Sequence, residues 1–166
     1  MPETLGFVEW MVLKESGLRL KARLDTGART SSLHAINVEP FEKGEKEWVR
    51  FQLPLADHQD KEDADGANLD QAILEFTLPI ERTVKIKRKG APSQHRYVVD
   101  MEFCIAGSMH RTEFTLADRS AFTYPALLGR RFMSDDNILI DSSDSFLAPR
   151  DCEHKSLAEV ATKHSD

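Results

Sequence analysis

The chain has 166 residues, enough for one domain with its own core, and carries a net charge of −6 with 40% hydrophobic and 30% charged residues. That acidic, ordinary globular balance excludes a general nucleic-acid binder, because the summed charge repels a polyanion, and no apolar run reaches the length of a membrane span. The two cysteines, Cys104 and Cys152, argue against a disulfide framework and for a reducing, cytoplasmic setting, and residues 1–10 lack the basic start and apolar run of a secretion signal.

In chain order, the apolar run Val8–Leu13 closes at Ser16 and Gly17, a turn signal. Leu18, Leu20, Ala22 and Leu24 then alternate with Arg19, Lys21 and Arg23, which predicts a half-buried strand running straight into Asp25-Thr26-Gly27-Ala28. Residues 33–38 read as a strand stopped by Pro40, and residues 48–53 alternate again. Residues 56–70 hold Asp57, Asp60, Glu62, Asp63, Asp65 and Asp70 with few apolar groups, the composition of a solvated loop or insertion. Strand character resumes over 72–78 and 83–87. Tyr97, Val99, Met101, Phe103 and Ile105 form a long alternating set, and Gly107-Ser108 turns the chain back into 111–116, the clearest hairpin in the sequence. Ala126, Leu127 and Leu128 make a short buried run ending at Gly129; residues 130–134 suit one helical turn and 138–141 a further strand. Beyond Pro149 the sequence is polar, with weak helical character over 156–163. The expected architecture is all-β, a closed barrel with one short helix near the C-terminal end: a domain over residues 1–148 and a polar tail over 149–166.

Two carboxylates close enough to share a proton cannot both ionise easily, so one stays protonated while the other polarises a water. An Asp-Thr-Gly turn suits that task. Glycine lets the backbone approach closely, and the Thr26 hydroxyl can lock the loop by hydrogen bonding. Taken alone, the tripeptide also fits an ordinary strand-end turn, and Leu127-Leu128-Gly129-Arg130 alone fits a core strand ending in glycine. Together and in this order they resemble a retropepsin. The runs Gly6-Phe7-Val8-Glu9-Trp10, then Ala22 through Asp25-Thr26-Gly27-Ala28-Arg29-Thr30-Ser31-Ser32-Leu33-His34-Ala35, and Asp118-Arg119-Ser120 through Tyr124-Pro125-Ala126-Leu127-Leu128-Gly129-Arg130 are similar to the retropepsin-like aspartic endopeptidases of the RimB type. That family is often labelled "ATP-dependent zinc protease".

The resemblance implies an acid-protease barrel in which Asp25 is the catalytic aspartate and Thr26 and Gly27 complete its loop. Ala28 and Arg29 would face substrate, and Leu128, Gly129 and Arg130 would support the loop from behind. A second Asp-Thr/Ser-Gly is absent, Asp141-Ser142-Ser143 being the nearest approach, so a paired-aspartate mechanism needs a homodimer. The family's association with ATP-grasp ligases that add glutamates implies such a ligase partner and a glutamate-rich or glutamate-modified peptide substrate. A rival expectation from another class is a non-catalytic retropepsin-like module that binds peptides or the ligase.

Two features depart from viral-type retropepsins. Where those carry an acidic residue after the loop, this chain has Arg29, which would repel Arg130 unless a carboxylate such as Asp141 sits between them. In place of a glycine-rich flap, residues 82–96 contain Arg82, Lys85, Lys87, Arg88, Lys89 and Arg96 with no acidic residue. This stretch reads either as a solvated hairpin or as a flap whose Lys87, Arg88 and Lys89 steer an acidic peptide. His34, His58, His95, His110, His154 and His164 lack metal-ligand spacing, and no phosphate-binding glycine loop is present, so the expectation is a chain without metal or nucleotide cofactor. His34 reads as a satisfied structural histidine.

Overall fold

Alternating polarity sets the register of the main sheet. The computed structural model describes residues 2–58, 69 and 72–164. Strands β2 (Val8–Leu13) and β3 (Arg19–Asp25) form an antiparallel pair, their connection passing through Gly17 at a φ of +73°. Leu20, Ala22 and Leu24 lie in the core, so a slip of one residue would bury Arg19, Lys21 and Arg23 instead. After the Asp25 turn comes β4 (Ser31–His34), and β11 (Ala126–Gly129) lies between β3 and β4, parallel to the first and antiparallel to the second.

Strands β9 (Ala91–Ile105) and β10 (Ser108–Ala117) form the expected hairpin. Its turn residues Ala106 and Gly107 both have positive φ, 54° and 78°, as a two-residue hairpin turn that follows the strand twist requires. β9 also pairs with β2 and β10 with β4, so the order β10-β4-β11-β3-β2-β9-β8 returns on itself through β9 and β10 and the sheet is nearly closed. Leu33, Val99, Phe103, Phe114 and Leu128 are fully buried within it. At roughly 1.5–3 kcal/mol for each fully buried large apolar side chain, this interior is the main stabilising term. β8 (Arg82–Arg88) hangs on the first half of β9 as an edge strand. The fold is mostly β, as the sequence implies.

Two smaller sheets complete it. β1 (Glu3–Gly6) runs parallel to β12 (Ile138–Asp141), and β5 (Ile36–Lys43), β6 (Lys46–Pro54) and β7 (Ile73–Pro79) form a meander with Phe51 stacked on Phe76. Glu9, 1% exposed, ties the chain's two ends together. Its carboxylate accepts N–H groups from Gly6 (2.7 Å), Leu147 (2.8 Å) and Ala148 (3.3 Å). That is how a buried carboxylate is made tolerable without a cation.

Two sequence expectations need correcting. The strand read over 33–38 is two strands, broken at Ala35, and Pro40 does not stop the second. Among the described residues β5 pairs only with β6, so a proline there costs no ladder bond on its other side, and a register shift between Ile36 and Glu39, with Asn37 at a φ of 49°, absorbs the irregularity. Second, Cys104 and Cys152 are joined in a disulfide, because the polar tail folds back across β9 instead of trailing into solvent. The cysteine argument for a reducing compartment therefore falls. The helical character read over 156–163 is realised as helix α2 (Leu157–His164), which begins with a reciprocal cap. The Ser156 hydroxyl accepts the Glu159 N–H at 3.1 Å and the Glu159 carboxylate accepts the Ser156 N–H at 3.2 Å. Val160 and Ala161 are buried in the core cluster, so the helix forms by docking as well as by its cap. Of the acidic stretch 56–70, only 56–58 and Leu69 fall within the described residues. Among the described residues, no helix is long and apolar enough to cross a membrane.

Candidate active site

The turn after β3 is built to hold one carboxylate still. Asp25 ends the strand, and its Oδ1 accepts the Gly27 N–H at 2.9 Å while the Ala28 N–H reaches the Asp25 carbonyl at 3.2 Å. A Cβ on Gly27 would stand 3.1 Å from that same Oδ1. Oδ2 stays open, with Arg23 Nε 3.9 Å away and the side chain about one-third exposed, at 32%. One oxygen is thus fixed by the loop and the other is presented outward. Thr26 is exposed, and its hydroxyl makes no hydrogen bond among the described residues.

The support behind the loop comes from β11 and α1 (Arg130–Asp135). Gly129 stands in register with Asp25. A Cβ on Gly129 would lie 2.5 Å from the Thr30 carbonyl oxygen, 2.7 Å from its carbon and 2.9 Å from the Ala28 oxygen. Those are backbone atoms that cannot swing away, so the constraint here is space. The Gly129 N–H donates to Ser31 Oγ at 3.0 Å, Arg130 N–H to the Ala28 carbonyl at 2.8 Å and Arg131 N–H to the Arg29 carbonyl at 3.1 Å. Helix α1 has no side-chain cap. Its first N–H groups are satisfied by the carbonyls of the Asp25 loop, so helix and loop fix each other. Leu128 is fully buried beneath them.

Among the residues proposed from sequence, Asp25, Thr26, Gly27, Ala28 and Arg29 share this loop with Leu128, Gly129 and Arg130 against it. Arg29 and Arg130 are both exposed, and neither forms an ion pair among the described residues. The Arg130 side chain reaches only the Gly27 carbonyl, at 3.5 Å. Asp141 does not balance them. It forms no ion pair with either among the described residues, and its Oδ1 accepts the N–H and hydroxyl of Ser143, which hold it below the usual carboxylate range. Solvent makes a bridging carboxylate unnecessary for two exposed guanidinium groups.

Lys87, Arg88 and Lys89 sit at the far end of the β8–β9 hairpin, next to Gly90 at a φ of +77°. Lys87 and Lys89 are exposed, and no hydrogen bond or ion pair joins them to the Asp25 loop among the described residues. A groove of about 580 Å³ is lined by Gln94, His95 and Tyr97 of β9 together with Asn37, Val38 and Asp118.

A polar cluster follows the loop on β4, and of its members only His34 is assigned a role from the sequence, as a structural histidine. Fully buried His34 accepts the Arg119 N–H on Nδ1 at 2.9 Å, which puts its ring proton on Nε2, 2.8 Å from Asp57 Oδ2. It is a satisfied histidine rather than a ligand. His58 donates from Nε2 to the Arg119 carbonyl at 2.7 Å, with its ring edge-on to His34. The Arg119 guanidinium donates to the Tyr124 carbonyl at 3.1 Å and to Ser32 Oγ at 2.8 Å, and lies over the Phe122 ring. Burial pushes its pKa down. Asp118 is held below the usual carboxylate range by the hydroxyl and N–H of Ser120. The available signal in the sequence is His34 set between apolar Leu33 and Ala35 in a predicted strand, a polar ring that needs partners wherever it is buried. Among the described residues, no three His, Cys, Asp or Glu side chains converge in a group that could hold a metal ion.

Against known proteins, residues 4–151 match the family described as retropepsin-like aspartic endopeptidase RimB. A probable alpha-L-glutamate ligase of Shewanella pealeana is 35% identical over 144 residues, covering 86% of this chain and 29% of that protein. Its counterpart in Parasynechococcus marenigrum is 31% identical over 143 residues, covering 85% and 28%. The chain therefore spans less than a third of the length of these curated relatives. A crystal structure of a Legionella pneumophila protein of unknown function superimposes with a TM-score of 0.70 at 29% identity, covering 88% of this chain and 98% of that one.

Proposed function

The chain belongs to the family of retropepsin-like aspartic endopeptidases of the RimB type, and on that premise we propose that it cuts peptide bonds with a water activated between two Asp25 carboxylates, one from each subunit of a homodimer. The observation that carries this reading is the Asp25 loop itself: a carboxylate with one oxygen fixed by Gly27 N–H and the other presented outward, 3.9 Å from Arg23 Nε, on a turn clamped by Gly129. One such loop per chain makes half a site, and a two-fold axis through it completes the pair. The two carboxylates then share one proton and titrate as a unit. The ionised one takes a proton from the water as it attacks the scissile carbonyl, and the protonated one hydrogen-bonds the developing oxyanion. Collapse of the tetrahedral intermediate returns a proton to the leaving amine, with no covalent enzyme intermediate.

In this reading the ring of β10, β4, β11, β3, β2 and β9 is the acid-protease barrel, residues 1–148 are its domain, and 149–166 are a tail fastened across it. The β8–β9 hairpin is the flap, Thr26 faces the partner subunit, and Ala28 and Arg29 meet substrate. No metal or nucleotide takes part. The names of the ligase relatives support a substrate in which glutamate has been added to a protein, with this chain working beside a ligase of that class. They also favour a second reading, a non-catalytic module that holds the peptide or the ligase.

Asp25→Asn separates the two. Asn keeps an oxygen for the Gly27 N–H, so the variant should stay folded, and cleavage should fall at least ~10³-fold because the shared proton has no carboxylate pair. Peptide hydrolysis and sedimentation of the purified protein are the readouts. Residual cleavage at the native rate, or a native chain that is active as a monomer, would sink the paired-aspartate mechanism.

A further inference from the structure

Arg119 is 7% exposed, yet its guanidinium has no carboxylate partner among the described residues. A buried cation in that condition is heavily disfavoured unless an opposite charge arrives. Neither nearby carboxylate pairs with it: Asp57 meets His34 through Oδ2, and Asp118 meets Ser120 through Oδ1. Two bonds, Nε to the Tyr124 carbonyl and Nη1 to Ser32 Oγ, fix the plane of the fork, and Phe122 covers one of its faces while itself 58% exposed. Nη2 makes no hydrogen bond among the described residues and is not among the sealed polar atoms. A fixed guanidinium with a free, solvent-reachable edge is a carboxylate receptor.

Its position follows from strand register. Ser32 stands beside Leu127 on β11, and Leu127 beside Arg23 on β3. Side chains alternate along a strand, so Arg23 and Asp25 share that face, and Ser32, which holds the guanidinium, belongs to it as well. Resting on the peptidase reading above, we propose that Arg119 is the specificity residue of the cleft, binding a glutamate or aspartate side chain of the peptide on the Asp25 face of the sheet. The hairpin lysines draw an acidic chain from a distance; Arg119 selects one residue of it.

The test pairs two labelled peptides with amidated C-termini, one bearing a run of glutamates and one the glutamine isostere. Binding is measured by fluorescence anisotropy to the Asp25→Asn protein with Arg119 native, R119K or R119Q. With native Arg119 the glutamate peptide should bind at least ~10-fold tighter; R119Q should bring the ratio to about 2-fold or less, and R119K should fall between. An unchanged ratio in R119Q, no preference with native Arg119, or a preference that needs a free C-terminal carboxylate would each overturn the proposal. If R119Q does not fold, the Arg119 Nε–H NMR resonance of the native protein decides: it should shift with the glutamate peptide and not with the glutamine one, and an unmoved resonance overturns the assignment. The two readings fail separately. Discrimination that follows Arg119 in a chain that cuts neither peptide keeps this proposal and sinks the peptidase, whereas cutting both peptides equally well does the reverse.

Discussion

The Asp25 loop and the tip of the β8–β9 hairpin each depend on a glycine, Gly129 packed behind the first and Gly90 within the second, and the two glycines are constrained in opposite ways. At Gly129 there is no room: Thr30 and Ala28 backbone atoms fill the place of a side chain, at 2.5 to 2.9 Å. At Gly90 there is open space, with nothing within 4 Å of a built Cβ, but the φ of +77° suits glycine alone. The first turn is immobilised by its surroundings and the second only by its own backbone. A site that must hold two carboxylates in fixed relation needs the first kind, and an element that must admit a chain needs the second.

Substituting the two glycines tests that contrast most directly. Gly129→Ala should destabilise by about 3 kcal/mol or more, because the loop, β11 and the start of α1 must all shift together. Chemical denaturation gives the value, and a loss under about 1 kcal/mol would mean the clamp is softer than its distances indicate. Gly90→Ala should cost only about 1 kcal/mol, the penalty of a left-handed backbone without a clash. A larger loss would show that the hairpin tip is packed against something in solution. Smallest in stability is the charge change at Lys85, Lys87 and Lys89, all exposed. Their triple replacement by glutamine should move stability by less than about 0.5 kcal/mol. The same variant should raise KM for an acidic peptide at low salt, an effect that fades as salt is added. An unchanged KM across ionic strength would reduce the hairpin to a solvated edge.

The parts of the molecule that the sequence disclosed are those governed by neighbours in the chain. Alternation marks β3 and the β9–β10 hairpin, and the glycine of Leu128-Gly129 marks the close approach behind Asp25. What it concealed depends on partners far along the chain. β1 is too short and mixed to announce itself, and exists because β12 lies beside it. Cys152 meets Cys104 only after the tail crosses β9. Arg119 looks like any loop arginine until residues 32, 58 and 124 close around it. Pro40 misled for the complementary reason: a proline ends a central strand but rests comfortably on an edge.

The near-closed sheet has one more consequence, for how the protein behaves in crowded solution. Strands that pair round a ring offer no exposed ladder to a neighbour, so recruitment of other chains is confined to the edges left over. Two of these are blunted in their own ways. β5 carries Pro40 and an irregular register, and β8 carries Arg82, Lys85 and Lys87. The basic residues assigned here to drawing in an acidic peptide therefore also keep β8 from templating fibrils.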